Sequence, residues 1–265
     1  RITTKTKKGI LPFLKINKMK DFKYKIRASK SYELITSCSK KVRNELQWDF
    51  EENKPPSDAM IKIAIEVFNK VTYGYESPNI ITYDMNNGNK NEDEGVRLYD
   101  KVYGTNYHPD YLIEKDVQSS NFCCTGRRDL GSKLKTIDMK NSTCRNIFEA
   151  KKFLELEPKY VCQLNTYGFI YGTEELELCN YLSSKGFAEI EKMVNTERYF
   201  NFGEDDIYFD NLQEELEQRF TYNDFNGMPD EKRISVREVP NIVNFQPTLI
   251  SCVKKMNAFI EEHLE

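Results

Sequence analysis

The segment Tyr160-Val161-Cys162-Gln163-Leu164-Asn165-Thr166-Tyr167-Gly168-Phe169-Ile170-Tyr171 carries two short runs rich in aromatic and β-branched side chains, split by Asn165-Thr166. That composition predicts a β-hairpin in the middle of the chain. Upstream, residues 142–156 read as a helix that ends before Pro158, because the residue preceding a proline is disfavoured in the α region. Downstream, Thr173 reads as the cap of an acidic helix, and Gly186 separates it from a helix through Phe187, Ile190, Met193 and Val194. Leu212, Leu216 and Phe220 mark a short acidic helix. Pro247 opens the last one, along which Leu249, Cys252, Val253, Met256, Phe259 and Ile260 keep a consistent apolar stripe.

Towards the N-terminus the pattern changes to strands. Phe13-Leu14-Lys15-Ile16 and Phe22-Lys23-Tyr24-Lys25-Ile26-Arg27 predict an antiparallel pair. In the second, Phe22, Tyr24 and Ile26 face a core while Lys23, Lys25 and Arg27 line the opposite face. A third strand is expected at residues 31–36. Pro55-Pro56-Ser57-Asp58 breaks the chain and supplies an N-cap for a helix over residues 59–73, stopped by Gly74. Ile80-Ile81-Thr82-Tyr83 reads as a strand, residues 86–95 as a turn or loop, and residues 99–134 as irregular.

The fold expected is α+β, with antiparallel β-hairpins in the N-terminal and middle parts and a helix-rich C-terminal half. Two parts are expected: residues 1–98, basic and strand-rich with one helix, and residues 99–265, with loop, hairpin and acidic helices. The two can share one compact domain. With 39% hydrophobic residues, sixteen Tyr and sixteen Phe, the 265-residue chain has enough apolar surface to offset the entropy of ordering. Charged residues interrupt every apolar stretch, which excludes a membrane-spanning helix. The sequence opens at Arg1, without Met or a signal-like apolar core, and reads as a chain whose leader has been removed or trimmed away.

Charge is segregated. Residues 1–43 carry fourteen Lys and Arg against two acids, whereas residues 174–231 carry four against sixteen. The net charge of -3 hides this asymmetry, which bears on partners more than the total does. Five of the seven cysteines fall within residues 123–179, enough for two disulfides in an oxidising compartment, and Asn141-Ser142-Thr143 forms an N-glycosylation pattern. Together they tilt the expected location slightly towards secretion. Buried, reduced thiols are the competing reading, and Cys252 on the last helix's apolar stripe fits it. No Cys-x-x-Cys occurs and only two His are present, so neither a metal nor a cofactor is expected.

The most site-like stretch is Thr125-Gly126-Arg127-Arg128-Asp129-Leu130-Gly131-Ser132-Lys133. Its glycines let backbone amides approach an anion, and its Arg and Lys supply charge. The Gly-Lys-Ser/Thr order of a phosphate loop is missing. His108 is the better placed of the two imidazoles for proton transfer. The acidic clusters Glu92-Asp93-Glu94 and Glu204-Asp205-Asp206 lack EF-hand spacing and read as solvated charge.

Two functions follow. In the first, an effector or interaction protein engages an anionic macromolecule, RNA or an acidic protein, through a basic face formed by Lys15, Lys23, Lys25 and Arg27, with Lys133 as a further anion contact. In the second, a metal-independent ribonuclease of toxin type uses His108, Arg127 and Arg128 as base and phosphorane-stabilising cations.

Overall fold

The computed structural model describes residues 21–42, 47–76, 83–114, 117–201, 203–222 and 228–265. In chain order the elements are β1 (Ile26–Arg27), α1 (Ser31–Cys38), β2 (Ser39–Lys41), β3 (Trp48–Phe50), α2 (Asp58–Tyr73), α3 (Tyr83–Tyr103), α4 (His108–Glu114), β4 (Ser119–Ser120), β5 (Cys124–Gly126), β6 (Leu130–Gly131), β7 (Lys135–Ser142), α5 (Arg145–Lys151), α6 (Pro158–Tyr171), β8 (Glu175–Leu182), α7 (Phe187–Phe200), α8 (Asp206–Phe220), β9 (Ile234–Glu238) and α9 (Phe245–His263). The architecture is α+β with a helix-rich C-terminal half.

The central sheet has the order β6-β7-β8-β9. β7 and β8 run parallel over eight paired positions, from Lys135 opposite Glu175 to Ser142 opposite Leu182, while β6 and β9 flank them antiparallel. Parallel neighbours require a crossover, and α5 and α6 supply it. α6 lies on one face of the sheet and α3 on the other. A small sheet, β1-β5-β4, adds β1 parallel to β5 beside α6.

The largest core joins α1, α2, α6 and α9, drawing on residues from Tyr24 to Ile260 and so on both sides of position 98. A second lies between α3 and the sheet, with Val96, Leu98 and Tyr99 against Ile137, Met139, Cys179 and Tyr181. A third joins α7 and α8 through Ile190, Val194, Phe209 and Leu216.

Several expected elements change identity. Residues 160–171 form most of α6 rather than a hairpin. The helix is buried nearly all round, so its apolar residues show no amphipathic stripe to distinguish it from strands. Its boundaries carry the true signal: Pro158 in the first turn and Gly172 at φ 68° after the last. The residues expected to continue as an acidic helix after Thr173 are strand β8. There Leu176 and Leu178 alternate with Glu175 and Glu177, a period of two that outweighs the acidic composition.

Residues 31–36 fall in helix α1, residues 86–95 lie within α3, and residues 99–134 include α4 and strands β4 to β6. Antiparallel hairpins do occur, at β2–β3, β4–β5 and β6–β7. The pair expected at residues 13–16 and most of the strand at 80–83 lie outside the described residues. In residues 22–27 the alternation holds, with Tyr24 and Ile26 fully buried, although only Ile26–Arg27 is a strand and its partner is β5. α2 begins on the Ser57 cap, whose hydroxyl accepts the Met60 N–H at 3.3 Å, and ends at Gly74.

All seven cysteines are free thiols, six of them buried, which corrects the disulfide expectation. Asn141 lies inside β7 with its carbonyl oxygen accepting the Ser183 hydroxyl at 2.8 Å, so the glycosylation pattern falls on a paired strand rather than a surface loop. Among the described residues no helix is long and apolar enough to cross a membrane.

Candidate active site

On β7, Ile137 and Met139 turn to the α3 core, so the alternation of the strand places Thr136, Asp138 and Lys140 on the face covered by α6. Asp138 is fully covered there, which is costly for a carboxylate unless it is paired, and Lys140 is partly covered. Lys140 Nζ lies 2.5 Å from Asp138 Oδ2 and 5.2 Å from the centre of the Tyr160 ring on α6. Asp138 Oδ1 accepts Gln163 Nε2 at 3.3 Å, and the same amide donates to the Tyr167 hydroxyl at 2.9 Å. Asp138 Oδ2 is buried without a hydrogen bond of ordinary geometry, and the ammonium is its counter-charge.

Asp129 immediately precedes β6. The β6–β7 register pairs Leu130 with Ile137, and one step back along it Asp129 comes level with Asp138. Asp129 Oδ2 accepts the Met139 N–H at 2.7 Å. Burial, and then the neighbouring Asp138 charge, push the Asp129 carboxyl up to about 8, while Lys140 and the Met139 N–H oppose the shift. Burial pulls Lys140 down, but Asp138 and Asp129 outweigh it and hold the ammonium above the ordinary lysine range. Arg127 extends the group outward: its Nη2 lies 3.0 Å from Glu92 Oε1 on α3 and 3.9 Å from Asp129 Oδ1.

A cleft of about 340 Å³ opens onto this group, lined by Arg27, Ser29, Gln118, Gly126, Arg127, Asp129 and Tyr167 among others. Gly126 lets Tyr167 close the cleft wall, since a Cβ there would come within 2.7 Å of its ring. A second groove of about 250 Å³ shares Arg27 and Gln118 with it and is lined by Lys23, Lys25, Lys30 and Lys70 over an apolar floor of Ile63, Val67 and Val71.

Two adjacent carboxylates, Asp138 buried and Asp129 largely so, beside a lysine form a donor set suited to a hard cation. Magnesium is commonly held by one or two carboxylates together with water and substrate phosphate. Among the described residues no three His, Cys, Asp or Glu side chains form a ready-made cage. An Asp138 oxygen that lacks a hydrogen bond of ordinary geometry and meets the Lys140 ammonium, together with the repulsion between the acids, is what a cation would relieve, so the residues fit one.

His108 starts α4 and is engaged elsewhere. Its Nε2 lies 2.7 Å from Asp93, and its backbone N–H donates to Asp100 at 2.8 Å. Arg128 stacks on Tyr171 at 4.4 Å and donates to the carbonyls of Ser132 and Lys135, closing the β6–β7 turn. Arg127 alone of the three expected catalytic residues meets the carboxylates. Among the expected anion contacts, Arg27 lines both clefts, Lys23 pairs with Glu265 at 2.5 Å, and Lys25 pairs with Asp21 at 3.3 Å. Lys133 is exposed in the β6–β7 turn, and Lys15 lies outside the described residues.

The sequence reading missed Asp129 as a site residue, and Asp138 and Lys140 altogether. The signal was Thr136-Ile137-Asp138-Met139-Lys140, an alternation that sends two charges to one side of a strand.

No family model matches the chain, and no curated protein matches it. Solved structures do. A phage-related exonuclease from Haemophilus somnus 129PT superposes with a TM-score of 0.57 at 16% identity, over 90% of this chain and 96% of that one. An alkaline exonuclease from Laribacter hongkongensis, LHK-Exo, superposes with a TM-score of 0.53 at 11% identity, over 90% of each chain. The chain shares the fold of these two exonucleases. That finding corrects both expected functions, the binding effector and the metal-independent ribonuclease, and with them the secreted, toxin and RNA-binding readings. The charged group buried against the sheet is made of carboxylates and lysine, with the histidine of the ribonuclease reading paired on the neighbouring helices.

Proposed function

We propose that the protein is a metal-dependent exonuclease that hydrolyses DNA phosphodiester bonds at the cleft lined by Arg27 of β1, Gly126 of β5, Arg127 and Asp129 before β6, and Tyr167 of α6. The observation that carries the reading is the cluster of buried Asp138 with Asp129 and Lys140, of which Asp129 lines a cleft edged by Arg27 and Arg127. The shared exonuclease fold supports it.

Asp129 and Asp138 would hold the cation, with Glu92 bordering the site through Arg127. When bound, the cation supplies Lewis-acid polarisation of the phosphate and lowers the pKa of a coordinated water. Lys140 keeps a fixed ammonium where negative charge grows at the phosphorus centre, a preorganised stabilisation that needs no rearrangement during the reaction. Gln163 and Tyr167 hold Asp138 in place through their hydrogen-bonded chain. Arg127 and Arg27 present guanidinium groups to the phosphates of the bound strand, and Lys23, Lys25 and Lys30 continue that charge along the second groove.

The test is digestion of end-labelled linear duplex DNA in magnesium or manganese, with closed circular DNA and EDTA as controls. Nucleotides should be released from linear DNA alone and only with metal. Lys140→Ala and Asp138→Asn should each lower the rate by on the order of 10²–10³ with folding intact. No cleavage by the wild type, or cleavage persisting in EDTA, overturns the reading.

A further inference from the structure

Lys140 does not line the cleft that Arg27 edges, and its side chain is 23% exposed. Lys159 Nζ stands 4.7 Å from the centre of the Tyr160 ring that Lys140 also faces. Lys151 donates to the Ser142 hydroxyl at the end of β7 at 3.0 Å, a neutral partner rather than a carboxylate. Between these lysines the chain turns from α5 to α6 and exposes Phe153 at 87% and Leu154 at 60%.

This turn is pinned. The N–H groups of Phe153 and Leu154 both donate to the Ala150 carbonyl at 3.0 Å, and Arg237 Nη1 on β9 donates to the carbonyls of Lys151 at 3.2 Å and Leu154 at 2.5 Å. The aromatic ring is thus presented by a pinned turn flanked by Lys151, which reaches the end of β7, and Lys159, which shares the Tyr160 ring with Lys140. Negative charge is present as well: Glu157 and Glu149 are paired with Lys159 and Lys152 at 2.7 and 2.9 Å, and Glu155 is exposed next to Leu154. A fixed aromatic face among lysines is complementary to a single nucleic-acid strand, whose bases stack while its phosphates meet the cations.

We infer that Phe153 is a base-stacking platform for the single strand that passes Lys140. This rests on the nuclease reading above and assigns the ring a part in substrate specificity.

The experiment uses the full chain and duplex DNA with a single-stranded extension, carrying 2-aminopurine at successive positions. Calcium replaces magnesium for binding, and magnesium is used for turnover. Wild type should quench the probe at one or two adjacent positions. Phe153→Ala should lose that quenching and raise KM about 5- to 50-fold, as stacking of one base is worth, with kcat within about twofold. Phe153→Trp should restore both. An unchanged KM and unchanged quenching in Phe153→Ala overturn the inference while the nuclease reading stands. So does a wild-type oligomer that Phe153→Ala dissociates without altering turnover, which would assign the ring to contact between copies. A wild type that neither binds nor cuts DNA overturns both.

Discussion

Asp129 is held at a cost to the folded state, and the cost has a measurable pH signature. Its unfolded pKa is ~3.9, whereas burial and Asp138 push it up to about 8 in the fold. Between those values the folded chain binds a proton that the unfolded chain has lost, so this group makes stability fall as pH rises through the window. Asp129→Asn keeps an oxygen for the Met139 N–H but removes the charge. It should raise the metal-free melting temperature at pH 8 by about 2–4 °C and abolish nuclease activity, as thermal unfolding and digestion assays would show. In the wild type, metal must displace the proton below pH 8. Calorimetry in buffers of different ionisation enthalpy should therefore find proton release on manganese binding, with affinity rising about tenfold per pH unit up to pH 8 and levelling above it. Flat affinity from pH 6 to 9 would contradict this assignment of the proton.

At the scale of elements, the site depends on the β6–β7 hairpin keeping its register. Gly131 lies where a Cβ would collide with the Lys135 carbonyl oxygen and the Arg128 guanidinium that closes the turn. Gly131→Ala should cost about 1–3 kcal/mol, read by denaturant unfolding. It should also lower activity beyond the stability loss by shifting Asp129 relative to Asp138. Helix boundaries were legible in the sequence where local chemistry writes them, as in the Ser57 cap and the Gly74 stop of α2. The interior of α6 was not. A helix buried between the sheet and α1 and α9 has no polar face, so its pattern gives no period, and only Pro158 and Gly172 separate it from a pair of strands.

Across the whole molecule, the N-terminal segment that carries Arg27 is fastened to the C-terminal helix. The buried Asn257 of α9 accepts the Tyr24 N–H at 3.2 Å and donates to its carbonyl at 2.9 Å, a clamp over 233 residues of sequence. Asn257→Ala strands both backbone groups of Tyr24, an expected loss of about 1–3 kcal/mol. It should also weaken DNA binding more than it slows turnover at saturation, because it frees the strand beneath Arg27 and leaves Asp138 and Lys140 in place. Equal KM in the variant and wild type would show that the clamp serves stability alone.

The sequence by itself determined the α+β class, the caps of α2, the apolar stripes of α2 and α9, and the separation of basic from acidic segments. Each of these is set by residues within a few positions of one another. Only the tertiary structure decided the site. Asp129, Asp138 and Lys140 are three ordinary charges among 81 in the chain until the hairpin register and the parallel β7–β8 pairing bring them together under partial cover. Burial weakens water's screening, and that makes their mutual repulsion and attraction strong enough to distinguish them from every other charged residue.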